Sequence, residues 1–137
     1  MSRHLLALAL VVALAVVLVG CGSESGTATA DSAAIRDTIY SFVDAYNADD
    51  YQKCLSYLTG WGPSYSEDDA IALIQMWRGV TGRMTIENIE DITISGSTAT
   101  AMVTSSWENP DTDGNYTDAP RVEVNLKKDG DTWKYVV

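Results

Sequence analysis

Two cysteines, one histidine, an aspartate-rich turn and a set of aromatic rings are the side chains from which this chain could build chemistry. The histidine, His4, lies before the apolar run Leu5 to Val19, and residues 21–137 contain no other. If the N-terminal segment is removed, His-activated Ser or Cys nucleophiles and His-ligated zinc or iron sites are excluded, and with them the commonest general base near neutral pH. Cys54 shares a helical spacing with Tyr51, Leu55 and Leu58, which reads as a buried, inert thiol. Asn109-Pro110-Asp111-Thr112-Asp113-Gly114-Asn115 has the alternating oxygens that open a calcium loop. Its first position is Asn, however, and its twelfth, where a bidentate Glu belongs, is Pro120, so a hairpin turn built on Pro, Asp and Gly is the simpler reading and no metal or other cofactor is expected. Trp61, Tyr65, Trp77 and Trp107 are candidates to line a concave apolar pocket, although such rings serve equally well as core. Trp133 reads as packing between sheet and helices.

Cys21 has a different context. Arg3 and His4 give a short cationic start, fifteen Leu, Ala and Val residues follow, and Leu18-Val19-Gly20 closes the run before the thiol. That order is the layout of an export signal, and the run is shorter than the ~20 residues that span a bilayer. Leu18-Val19-Gly20-Cys21 resembles the lipobox of bacterial lipoproteins. The resemblance implies cleavage after residue 20, a diacylglyceryl group on Cys21, and a protein held on the extracytoplasmic side of the cell membrane. The expected organisation is a signal peptide over 1–20, a lipidated cysteine and flexible tether over 21–31, and one domain over 32–137. Residues 21–137 carry eight Lys and Arg against nineteen Asp and Glu, a formal charge of −11. Such a surface repels phosphate backbones and anionic headgroups, which argues against nucleic-acid binding and leaves the lipid as the membrane contact.

The remaining pattern supplies the elements that would position these residues. Ile35, Ile39, Phe42, Val43 and Tyr46 form one helical stripe, with Asp31 or Ser32 as its cap. Tyr51 to Leu58 predicts a second helix ended by Gly60. Ser66 predicts the cap of a third, with Glu67-Asp68-Asp69 in its first turn, Arg78 near its end, and Ala70, Leu73, Ile74, Trp77 and Val80 as its apolar face. After Gly82 the spacing becomes that of strands, over 83–95, 98–107, 116–128 and 132–137. Ser95-Gly96-Ser97 and Asp129-Gly130 read as tight hairpin turns and 108–115 as a longer one. Helices followed by hairpin-linked strands make the class α+β with an antiparallel sheet.

This order resembles the NTF2-like (cystatin-like) cone, three N-terminal helices packed on a curved four-stranded antiparallel sheet, shared by nuclear transport factor 2, ketosteroid isomerase and SnoaL-like proteins. Phe42-Val43-Asp44-Ala45-Tyr46-Asn47-Ala48-Asp49-Asp50-Tyr51 is similar to a run found in many members, and Gly130-Asp131-Thr132-Trp133-Lys134-Tyr135-Val136 to their last strand. In isomerase and dehydratase members, polar groups inside the cone do the chemistry. Here the nearest counterparts are Tyr40 and Asp44, one helical turn apart, as oxyanion donor and base, beside a helix stripe that makes a solvent-facing pair simpler. The expected function is therefore a non-enzymatic, membrane-anchored module that binds a small apolar ligand or a protein partner. An isomerase or dehydratase using Tyr40 and Asp44, and a structural subunit of an envelope complex, are the alternatives. The resemblance also implies pairing of two copies through the sheet face.

Overall fold

The computed structural model describes residues 28–108 and 120–137. Cys21 and the Asp111 to Asp113 turn lie outside those residues, as does Asn115. The chain divides into two compact units, Met1–Ser32 and Ala33–Val137; of the first, residues 28–32 are described and are helical.

Helix α1 covers residues 28–47, so Asp31 and Ser32 lie within it and do not cap it, and the last residues of the expected tether are helical. Its stripe is buried as the spacing requires. Ile35 and Ile39 are fully covered, and Val43 and Tyr46 nearly so. Each such aliphatic side chain contributes ~1.5–3 kcal/mol by leaving water. Ile35 and Ile39 pack with Ile89, Ala99, Ala101, Val103, Leu126 and Trp133 in the main core, which bears out the role read for Trp133. The Thr38 hydroxyl, buried on the same helix, donates to the Trp133 carbonyl at 3.1 Å.

Asn47, Asp49 and Asp50 make the corner after α1. The Asn47 amide donates to the Met84 carbonyl at 2.8 Å and accepts from the Met84 amide at 2.8 Å, which pins the helix end to the start of the sheet. Asp49 takes a left-handed φ of 59° and pairs with Arg78 at 3.0 Å. Asp50 accepts from the Lys53 amide and caps α2, Tyr51–Ser56. Cys54 is fully buried in a second core cluster with Ala45, Tyr46 and Ile74. Helix α3, Glu67–Thr81, begins with the expected Ser66 cap. It is a reciprocal box in which Ser66 accepts from the Asp69 amide and Asp69 accepts from the Ser66 amide.

Among the described residues the sheet has five strands, one more than expected. β2 (Met84–Ser95), β3 (Thr98–Trp107), β4 (Arg121–Asp129) and β5 (Thr132–Val136) form the antiparallel meander, and Gly96 and Gly130 turn the hairpins at φ 60° and 61°. The extra strand is β1, Leu58–Thr59, which runs parallel to β5, so the order is β1-β5-β4-β3-β2 and the sheet is mixed. The second helix thus ends at Ser56, earlier than its spacing predicts, because the Tyr57 carbonyl accepts from the Tyr135 amide at 2.8 Å and the Thr59 carbonyl from the Val137 amide at 2.9 Å. The amide N–H groups on the edge of β5 outcompete one more helical turn for these carbonyls. Two register shifts in β2, at Ile86/Asn88 and Glu90/Thr93, with Asp91 at φ 51°, bend the long strand as bulges do.

Candidate functional site

The site is set by what β1 does to the chain after it. Pairing with β5 carries Gly60 against the end of that strand, where a Cβ would stand 2.9 Å from the Val137 oxygen; its φ is 93°. Only glycine enters such a turn without strain. The loop Trp61 to Tyr65 then folds back, closed by the Tyr65 amide donating to the Gly62 carbonyl at 3.0 Å, and the Trp61 and Tyr65 rings meet at 5.7 Å.

Between this loop, α3 and the end of β5 lies a cavity of about 530 Å³. Phe42 from α1 and Leu58 from β1 form one side, and Leu73, Ile74 and Trp77 from α3 face them. Trp61 and Tyr65 come from the loop, Tyr135 and Val137 from the last strand. No Asp, Glu, Lys or Arg side chain appears among the described residues that line it. The volume falls within the ~300–1,000 Å³ of small-molecule sites, and so does the apolar, aromatic lining with few polar groups.

Three of the four aromatic residues singled out from sequence, Trp61, Tyr65 and Trp77, meet here. Trp107 does not. It packs with the second core cluster, edge-on to Tyr46 at 6.2 Å, because its place at the end of β3 puts it under the corner after α1. Trp77 and Val80 were expected on the buried face of α3, yet they are 53% and 68% exposed. A six-residue α2 is about 9 Å long and a fifteen-residue α3 about 22 Å, so the far half of α3 outruns the helix it packs on. The exposed half of Trp77 stands at the cavity rim.

Tyr40 and Asp44 are both exposed on the outer side of α1, and neither lines the cavity. The alternative of an isomerase built on this pair lacks its geometry, since a donor and a base must reach one bound molecule. The stripe of Ile39, Val43 and Tyr46 takes the inward face, and Tyr40 and Asp44 fall outside it.

Two polar groups at the cavity were not anticipated. Tyr135 lies against Phe42 with ring centroids 5.2 Å apart, and burial raises its phenol far above the ordinary value, so it stays protonated and can donate or accept. No described hydrogen bond uses its hydroxyl. The Trp61 indole nitrogen is the one buried side-chain polar atom among the described residues with no partner, an omission that costs about 1–3 kcal/mol. The sequence held a signal for Tyr135, whose alternation with the core residue Trp133 would place both on one face of a strand. It held none for the Trp61 nitrogen.

Among the described residues no cluster of three His, Cys, Asp or Glu could hold a metal ion, and no helix is long and apolar enough to cross a membrane. The thiol of Cys54 is pushed up to about 11, first by burial and then by the nearby Asp50 carboxylate, so it is not a nucleophile at neutral pH.

Neither the protein-family models nor the curated proteins compared with this chain match it. Solved structures do match. A protein of unknown function from Mycobacterium tuberculosis superposes with a TM-score of 0.61 at 15% identity, over 80% of this chain and 70% of that one. An NTF2-like protein of unknown function from Shewanella oneidensis matches at 0.53 and 15% identity, over 77% of this chain and 93% of its own. A proposed scytalone dehydratase from Novosphingobium aromaticivorans matches at 0.54 and 12% identity, over 81% and 83%. The chain has the NTF2-like, cystatin-like α+β fold, with helices packed on an open mixed sheet. At these identities the likeness extends to the fold and not to an activity.

Proposed function

We propose that this protein is a lipid-anchored extracytoplasmic module whose cavity holds a small apolar molecule without transforming it. The observation that carries the reading is the cavity of about 530 Å³, walled by Phe42, Trp61, Leu73, Trp77 and Tyr135 and lacking an acidic or basic side chain among the described residues. Such a wall favours an uncharged ligand, because a charge taken out of water there would find no counter-charge. It also offers no carboxylate to act as a base. The anchor rests on the sequence alone, on Leu18-Val19-Gly20 before Cys21 and the apolar run before it.

Native mass spectrometry of the purified domain tests the cavity. The expected result is a mass excess of a few hundred daltons that is lost on denaturation or solvent extraction. A domain that carries nothing and takes up no apolar aromatic probe would refute the reading. For the anchor, Cys21→Ser is expected to block processing or release the protein from membranes. Membrane retention with normal cleavage would remove that half of the proposal while leaving the cavity.

A further inference from the structure

The surface around the mouth of the cavity is apolar as well. Of the twelve residues Ala70 to Thr81 in α3, one is charged, Arg78. Its guanidinium is turned to the corner after α1, where it pairs with Asp49 at 3.0 Å and donates to the Tyr46 carbonyl at 3.2 Å. At ~100° per residue, Leu73, Met76, Trp77 and Val80 share the flank of the helix beside the buried Ala70 and Ile74. Met76, Trp77 and Val80 are exposed. Tyr65 and Val137, also exposed, line the cavity together with Leu73 and Trp77, so the flank runs on into the mouth. Six apolar and aromatic side chains thus form one surface in a chain whose residues 21–137 are strongly acidic. Exposed hydrophobic side chains scattered singly are ordinary, whereas a contiguous group of them marks a contact surface.

We infer that this surface lies on the lipid bilayer, with Trp77 and Tyr65 at headgroup depth and Met76 and Val80 against the acyl chains, so that the cavity opens into lipid. This adds a second contact to the anchor proposed above and rests on it. Residues 22–27 separate Cys21 from the first described residue, and that stretch of chain reaches at most about 25 Å. The reach is about the width of a domain whose radius of gyration is ~13 Å. An anchored domain is therefore always close to the bilayer, and at such an effective concentration a weak apolar contact suffices. Residue type agrees, since Trp and Tyr favour the headgroup level, where the ring is covered and its N–H or O–H is wet. Charge agrees as well. The acidic domain has no electrostatic hold on headgroups, so it meets lipid with its uncharged surface and turns its carboxylates to water. A second copy is the poorer occupant, because pairing would bring two strongly acidic bodies together. A docked mouth also gives an uncharged ligand a path between acyl chains and cavity that never crosses water.

The full processed chain, reconstituted on phosphatidylcholine vesicles, tests the contact through its tryptophans. Bromine atoms on the upper acyl chains quench a tryptophan only on close approach, so emission is compared on brominated and plain vesicles. Brominated vesicles should quench the wild type. Trp77→Phe should lose most of that quenching although Trp61, Trp107 and Trp133 remain, and Val80→Asp should lose it by putting a charge on the docked flank. Val80 is exposed, so its replacement leaves the core intact, and an unchanged circular dichroism spectrum checks that. Gln75→Asp adds the same charge about 140–160° round the same helix from Val80 and Trp77, and should be quenched as the wild type is. Wild-type chain that stays on the vesicles unquenched would overturn the docking and leave the anchor. Equal quenching in Trp77→Phe and Val80→Asp would put the contact on another face and overturn it too. Chain that leaves the vesicles would remove the anchor and the docking together, while the cavity, tested without lipid, stands.

Discussion

Replacing Asn47 by Ala removes the clamp between the end of α1 and the start of β2, and its cost can be worked from the structure. Asn47 makes two hydrogen bonds of 2.8 Å with the amide and carbonyl of Met84, one as donor and one as acceptor. Each such bond contributes a net ~0.5–1.5 kcal/mol, so the pair is worth about 2 kcal/mol. Alanine is the better helix former by about 0.6 kcal/mol at most, less at this last helical position. The hydrogen bonds therefore win, and the variant should lose ~1.5–2 kcal/mol. For a domain of this size that is a fall in Tm of about 6–8 °C. Urea unfolding followed by tryptophan fluorescence is a suitable assay, with an unchanged slope against denaturant showing that the native fold is kept. Asn47→Asp is the control. A carboxylate still accepts from the Met84 amide but turns its other oxygen on the Met84 carbonyl, so it should rescue little or nothing. A loss below about 0.5 kcal/mol for Asn47→Ala, or full rescue by Asp, would refute the claim that this side chain joins α1 to the sheet.

Gly60→Ala should cost about 1–3 kcal/mol, through its left-handed backbone and the 2.9 Å approach of a Cβ to the Val137 oxygen, and should weaken any ligand of the cavity at the same time; the paired readouts are urea unfolding and probe binding. Leu73→Glu puts a carboxylate on the cavity wall and is expected to lower the affinity for an apolar aromatic probe such as naphthalene at least tenfold in a protein whose circular dichroism is unchanged. The Cys54 thiol makes stability fall as pH rises from 9 to about 11. Over that window the unfolded chain releases its proton at the ordinary value of 9.0 and the folded chain retains it, so the unfolded state binds fewer protons and gains. Cys54→Ala should flatten that part of the stability profile, and in the wild type the thiol should react with a disulfide reagent at pH 8 only as fast as the protein opens. An unaltered alkaline slope in the variant would assign the effect elsewhere.

The helices and the meander were legible because each rests on a local rule. Ile35, Ile39, Val43 and Tyr46 share a helical stripe, Ser66 precedes three acidic residues, and Gly96 and Gly130 sit where hairpins need a left-handed residue. The aromatic identity of a pocket was legible in part. Trp61, Tyr65 and Trp77 were picked out by type, and Trp107 was picked with them because residue type does not distinguish a core ring from a cavity wall. What failed to show was every feature made by distant partners. Leu58 and Thr59 read as the end of a helix, since the amides of Tyr135 and Val137 that recruit them as a strand lie more than seventy residues away. Tyr40 and Asp44 had the right spacing for a chemical pair and the wrong side of the helix.

Sequence by itself determined the α+β class, three helices followed by a four-stranded meander, the core stripe of α1, the Ser66 cap and the turns at Gly96 and Gly130, and the acidic, histidine-poor composition that restricts the chemistry available after residue 20. All of these follow from periodicity, propensity and counting, which act within one element or over the whole chain. Only the tertiary structure decided that a two-residue strand joins β5, that Gly60 turns the next loop over the strand end, and that the Trp61 nitrogen is buried without a partner on a ring beside an apolar cavity. The physical reason is that an unpaired donor is a property of its neighbours. No residue type announces it, and it exists only once the surrounding chain has closed around it and failed to supply an acceptor.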